Sequence, residues 1–183
     1  MKSTLLKAMA ISAIALASQA AFASDGTINF TGELTAQTCS INGTAADGNR
    51  NVSVTLPAAT QSSLAIVGAT SAETAFQIAL TSCTPATGTV RTRFESGPNV
   101  DAATGELLTS GAGASAGLRI QLLNQDRSVI AVGTSDASQN SAPSTITTGA
   151  ATLNYIARYH RVSTTALVAG AVTSSVTYSM AYN

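Results

Sequence analysis

The 183-residue sequence carries no formal net charge, nine Lys and Arg balancing nine Asp and Glu, and only 10% of its residues are charged. A balance without a basic excess excludes a nucleic-acid footprint, which needs a basic patch. Tryptophan is absent and aromatic residues make up 4% of the chain; the small and β-branched residues that dominate suit short strands and turns rather than long amphipathic helices.

The first 23 residues read as a secretory signal peptide. Lys2 and Lys7 form a positive n-region, residues 8–17 an apolar h-region, and Ala21-Phe22-Ala23 a small-residue cleavage site. The apolar run is shorter than the roughly 20 residues that a spanning helix needs, although a retained anchor stays open as the alternative. Removing 23 from 183 leaves 160 residues, enough for one domain, with seven arginines against nine acidic residues and a net charge of −2. No later stretch reaches spanning length, so no membrane span is expected in the mature chain.

Residues 24–36 open the exported chain. Within them Ile28, Phe30, Gly32 and Leu34 alternate with Thr27, Asn29, Thr31 and Glu33, placing one apolar stripe on one face of an extended strand. Glycine weakens a strand, so Gly32 in that stripe marks a close backbone approach or a β-bulge. Cys39 follows, with Cys83 the only other cysteine. Two cysteines in an exported chain favour one disulfide; two free buried thiols are the alternative, and two cysteines with one histidine cannot fill a zinc shell.

Asn42-Gly43 and Asp47-Gly48-Asn49 are turn signals ahead of a strand over 51–56, where Val52, Val54 and Leu56 alternate and Pro57 ends the run. Further strands are expected over 75–83, with Phe76, Ile78 and Leu80 in phase, and over 89–95, with Arg91 and Arg93 on a solvated face. Residues 96–116 read as a loop or short irregular hairpin. A strand follows over 117–124, turning at 124–127 into 128–132, and a Ser/Thr/Ala-rich loop runs on to Gly149. Leu153, Tyr155, Ala157 and Tyr159 alternate in the next strand. The last, over 171–183, sets Val172, Ser174, Val176, Tyr178, Met180 and Tyr182 on one face. Seven or eight strands with a turn every 8–12 residues predict an all-β sandwich with little helix.

No Gly-rich phosphate loop, metal-ligand spacing or Ser-His-Asp arrangement is present in the sequence, so neither an enzyme nor a cofactor site is expected. His160 lacks a nucleophile or carboxylate at any useful spacing and reads as exposed or incidental. The sequons at Asn42 and Asn51 read as chance matches.

Taken in order, the signal peptide, residues 26–34 ahead of Cys39, Cys83 after residues 76–80, the Ala157-Arg158-Tyr159 strand, Gly170 and the penultimate Tyr182 resemble type 1-like major pilin subunits of the chaperone–usher pathway. The resemblance covers the whole chain. It implies an immunoglobulin-like sandwich over 37–183 that lacks its last strand and is completed by residues 24–36 of a neighbouring copy. Ile28, Phe30, Gly32 and Leu34 would be the donor-strand residues. Gly170, Val172, Val176, Tyr178, Met180 and Tyr182 would form the edge strand that a periplasmic chaperone covers first and the next subunit covers after transfer at an outer-membrane usher. The implied product is a head-to-tail homopolymer, a cell-surface fimbria supporting adhesion. A self-complete secreted carbohydrate-binding sandwich, and a minor or tip fimbrial adaptor, stay open as other readings.

Overall fold

The computed structural model describes residues 38–44 and 50–183. The signal peptide, the donor residues Ile28, Phe30, Gly32 and Leu34, and the turn at 47–49 lie outside the described residues. Nine strands account for most of the regular structure: β1 Thr38–Ile41, β2 Thr70–Thr84, β3 Gly88–Phe94, β4 Val100–Asp101, β5 Glu106–Leu108, β6 Leu118–Asn124, β7 Ser144–Ile146, β8 Ala151–Arg161 and β9 Tyr178–Tyr182. A 3-10 turn, Gln61–Leu64, and one α-helical turn, α1 Asp136–Gln139, are the only helices among the described residues.

The strands form a six-stranded sheet ordered β1-β2-β8-β6-β5-β4 and a three-stranded sheet ordered β7-β3-β9. Every pairing is antiparallel. Strand period dictates what is buried: along β8 Ala151, Leu153, Tyr155 and Ala157 are in the core while Thr152 and Asn154 face water. Beside them in the same sheet Ile78 and Leu80 of β2 and Leu122 of β6, and in the other sheet Val90 and Phe94 of β3, close the same core. Tyr155 stands at its centre, 5.3 Å from Phe94 edge-on and 5.6 Å from Phe76, and its hydroxyl lies 3.2 Å from Ser141 Oγ. Cys39 and Cys83 are joined, fastening β1 to the far end of β2 across 44 residues of sequence; closing such a loop stabilises by about 4 kcal/mol in the chain-entropy model.

Register also assembles a polar chain that no local sequence pattern announces. Pairing of Gln121 with Arg158 and of Arg119 with His160 brings β5, β6 and β8 side chains into line. Glu106, almost fully buried, accepts from Gln121 Nε2 at 2.6 Å and lies 2.7 Å from His160 Nδ1. Gln121 Oε1 accepts from Arg158, whose Nη1 pairs with Glu73 at 2.8 Å, and Glu73 also meets Arg127 at 3.1 Å. His160 is therefore neither exposed nor incidental: it satisfies a carboxylate that burial would otherwise penalise. Hydrogen bonding to Arg158 holds the Glu73 carboxyl below its ordinary range.

Three expectations change on the structure. The strand expected over 51–56 does not form one with the described residues: residues 52–56 pair with no strand among them. Residues 128–132 return as a hydrogen-bonded segment, Asn124 N to Ser128 O and Ile130 N to Leu122 O, with a bridge between Leu123 and Val129 rather than a full strand. The loop before Gly149 holds both α1 and β7. Its Gln139 is buried and grips β3 like a strand end, Oε1 accepting from Phe94 N and Nε2 donating to Phe94 O, each at 2.8 Å. That side chain continues the edge of β3 where β7, paired only over Gly88 to Val90, stops.

Candidate functional site: an open groove beside the last strand

Among the described residues, β9 pairs with β3 alone. Thr89 and Asn183 exchange both backbone hydrogen bonds, and Glu95 N donates to Thr177 O. By antiparallel alternation, the main-chain groups of Thr177, Ser179, Ala181 and Asn183 are turned toward β3. Those of Tyr178, Met180 and Tyr182 face the free edge. Across from that edge run residues 52–56, which make no backbone hydrogen bond to another described residue. Two backbone edges without a strand partner among the described residues thus flank a gap.

The gap is a groove of about 980 Å³. Phe76, Ile78, Ile120, Leu122, Phe94 and Ala157, contributed by both sheets, lie at its base; Val52, Val54 and Leu56 line one side, and Val176, Tyr178, Met180 and Tyr182 the other. Val52, Leu56, Val176, Tyr178, Met180 and Tyr182 are only partly buried although they pack on the core, and Val54 is exposed at 36%. The Tyr178 hydroxyl donates to Arg50 O, tying the two walls at one point. Burial pushes the Tyr178 and Tyr182 phenols upward, opposed by the nearby Arg50 charge. Ser174 Oγ donates to Leu108 O at 2.7 Å and Asn99 Nδ2 to Ser175 Oγ at 2.9 Å, which fixes the approach to β9.

The predicted edge residues divide between two places. Val176, Tyr178, Met180 and Tyr182 line the groove; Val172 is half-buried outside it, in the extended segment that precedes β9. Gly170 lies against another loop, with φ of 153°. A Cβ there would come within 2.8 Å of Gly113 N, and one on Gly113 within 2.3 Å of Gly170 O. The two glycines let the backbones meet, alongside the Gly113 N to Ala171 O bond of 2.8 Å and the Ser110–Thr173 bridge. The sequence alone does not assign Val52, Val54 and Leu56 to the site; their alternation is the available signal, and it is the groove they line that adds them to it.

Two packed antiparallel sheets with one strand missing along a groove define an incomplete immunoglobulin-like sandwich. The family model described as Type-1 fimbrial protein, A (FimA) matches residues 56–183, and the chain belongs to that family. The major fimbrial subunit SMF-1 of Stenotrophomonas maltophilia (strain K279a) is 41% identical over 175 residues, spanning 93% of this chain and 99% of the relative. The F17 fimbrial protein of Escherichia coli is 38% identical over 173 residues, 92% of this chain and 93% of that one. Among solved structures, the P pilus rod subunit PapA superposes with a TM-score of 0.60 at 23% identity, over 80% of this chain and 99% of that one. A chaperone–usher pilus subunit gives 0.57 at 22% identity, over 87% and 96%. The protein is a structural subunit of a cell-surface fimbria, and the relatives named are structural subunits rather than enzymes.

Proposed function

We propose that the groove is an acceptor site for residues 24–36 of a second copy, so that the subunits polymerise head-to-tail by donor-strand complementation. The observation that carries this reading is an apolar groove flanked by a β9 edge and a segment, 52–56, that have no strand partner among the described residues. Ile28, Phe30 and Leu34 supply alternating apolar side chains for such a groove, and Gly32 supplies a position with none. Strand addition to an exposed edge gives affinity through main-chain bonds and specificity through alternate side-chain pockets, and donor-strand complementation is among the named instances of that mode. Burying Ile28, Phe30 and Leu34 at about 1.5–3 kcal/mol each contributes roughly 5–9 kcal/mol before ladder hydrogen bonds, less the cost of ordering the arm.

Because each copy offers an arm and accepts another, the contact is heterologous and grows into an open filament. An uncovered edge beside an apolar groove is an aggregation hazard before assembly, so the reading includes a periplasmic chaperone occupying the edge formed by Gly170, Val172, Val176, Tyr178, Met180 and Tyr182, and an outer-membrane usher where the exchange takes place. The chain then passes through the periplasm after loss of residues 1–23. Phe30→Asp tests the arm directly: fibres are expected to vanish from electron micrographs while the secreted subunit still reaches the chaperone. Fibres of normal abundance from that variant would overturn the reading.

A further inference from the structure

The two ends of the sandwich differ from its sides. At one end, Gly68 N donates to Arg161 O at 2.7 Å and Gln61 Nε2 to Leu167 O at 2.9 Å, gathering the loops that follow the 3-10 turn and β8. This end presents Ile66, 73% exposed, Val67, 51% exposed, and Val168, 56% exposed. Segments 61–72, 109–118 and 162–177, which meet there, contain no charged residue. At the opposite end, Cys83 N donates to Gly149 O and Gly149 N to Ala86 O, both at 2.9 Å. There too segments 81–90 and 144–152 are uncharged, and Thr84, Pro85, Ala86 and Thr87 are exposed. The ion pairs formed by Glu73, Arg93, Asp101, Arg119, Arg127 and Arg158 belong to other segments.

Chain direction brings these two ends together. Thr38 pairs with Thr84, so the arm leaves from the Cys83 end. β9 runs toward that same end, since Tyr182 pairs with Val90 and Asn183 bonds Thr89. All strand pairs in the fold are antiparallel, so an arm seated on β9 in the same manner runs the other way and emerges at the Gly68 end. From Leu34 to Thr38 the chain can span no more than about 14 Å.

We infer that the apolar cap of Ile66, Val67 and Val168 is an axial docking surface for the Cys83 end of the next copy of this chain. This rests on the donor-strand reading and adds a second, separate contact between successive subunits. A cap of exposed aliphatic side chains on one end and a surface of Pro, Ala and Thr on the other can meet with little charge to desolvate, Arg119 beside Ala116 and Arg50 beside Cys39 being arginines close to the two faces. The contact fixes the angle between subunits, whereas the arm alone leaves a short hinge.

Hydroxyl-radical footprinting of wild-type fibres, read by mass spectrometry, tests the covered surfaces without any substitution. Oxidation at Ile66 and Val67 is expected at least fivefold slower than at Val129, which is 42% exposed in the single chain and lies at neither end, and Pro85 is expected to be protected as well. Oxidation of Ile66 as fast as Val129 in fibres overturns the inference. Cross-linking then identifies the partner: fibres carrying Ile66→Cys with Thr87→Cys, treated with a short bis-maleimide and denatured, are expected to give a ladder of covalent multimers. Assembled fibres without a ladder overturn the assignment of the Cys83 end, and Val168→Cys with Ala150→Cys serves as a second pair if the first does not assemble. Failure of the donor-strand reading is seen separately, as normal fibre formation by Phe30→Asp.

Discussion

β8 and β9 carry the same kind of pattern to different ends. Both alternate apolar and polar residues, and both place tyrosines on the inward face. Tyr155 in β8, with β2 on one side and β6 on the other, is 1% exposed. Tyr178 and Tyr182 in β9, with β3 on one side and no described strand on the other, remain half-exposed over a groove. Alternation therefore chooses the face, and the neighbouring strand decides whether that face is finished. The closed sheet is fastened by a disulfide and a polar chain; the open one is held at its approach by single hydrogen bonds from Ser174 and Asn99.

The sharpest way to break that contrast is to truncate the two tyrosines in turn. Tyr155→Ala removes a fully buried ring and strands Ser141, and is expected to destabilise the subunit by about 4–5 kcal/mol in urea titrations, from the cavity and the lost contacts. Cys83→Ser opens the clamp between β1 and β2 and is expected to cost about 4 kcal/mol, with subunit yield falling accordingly. Gln139→Ala leaves Phe94 N without its partner in the core, while Phe94 O keeps its bond from Gly133 N, and about 2 kcal/mol is expected from the one unsatisfied buried donor. Tyr178→Ala is expected to cost only about 1 kcal/mol in the uncomplemented subunit, rising severalfold once an arm fills the groove, because only then is the ring fully desolvated. A Tyr178→Ala cost equal in both states would remove the distinction between finished and unfinished faces.

The smallest expected effect is on pH. Glu73, held low by its Arg158 hydrogen bond, Asp101, held low by the Ala103 N–H and then Arg119, and Asp126, held low by Ser128, all have depressed folded-state values. Such groups contribute stability that is complete above their ordinary values of 4.5 for Glu and 3.8 for Asp and is lost as pH falls through the lower folded ones. Melting temperature is thus expected to be flat near neutrality and to decline below about pH 4. Tyr178 and Tyr182 act oppositely: with their values raised by burial, their contribution is present below about pH 10 and fades as pH rises through the folded values.

Much of this was legible in the residues. β2 and β8 announce themselves because one face of each packs on the core, alternating over 75–80 and 151–157, whereas β6 is buried on both faces from Gln121 to Asn124. The terminal strand was read correctly in phase, although only its last part is hydrogen-bonded to β3. Residues 52–56 show why pattern alone misleads: their alternation is that of a strand, while their backbone has no described partner. Gln139 carried no periodic signal at all, being a single polar residue in a Ser- and Ala-rich loop that becomes structural only through contact with Phe94. Likewise Glu106, Gln121 and His160 are far apart in sequence and meet only through the registers of β5, β6 and β8.

The most direct measurement is the thermal melt of protein comprising residues 37–183, with and without a synthetic peptide of residues 24–36. Saturating peptide at about a thousand times its Kd stabilises by about 4 kcal/mol, which for a domain of this size corresponds to a rise of roughly 8–16 °C. The account predicts such a rise, and predicts that a peptide with Asp in place of Phe30 gives none. A stable, sharply melting protein indifferent to the native peptide would mean that the groove accepts no arm, and would contradict the account.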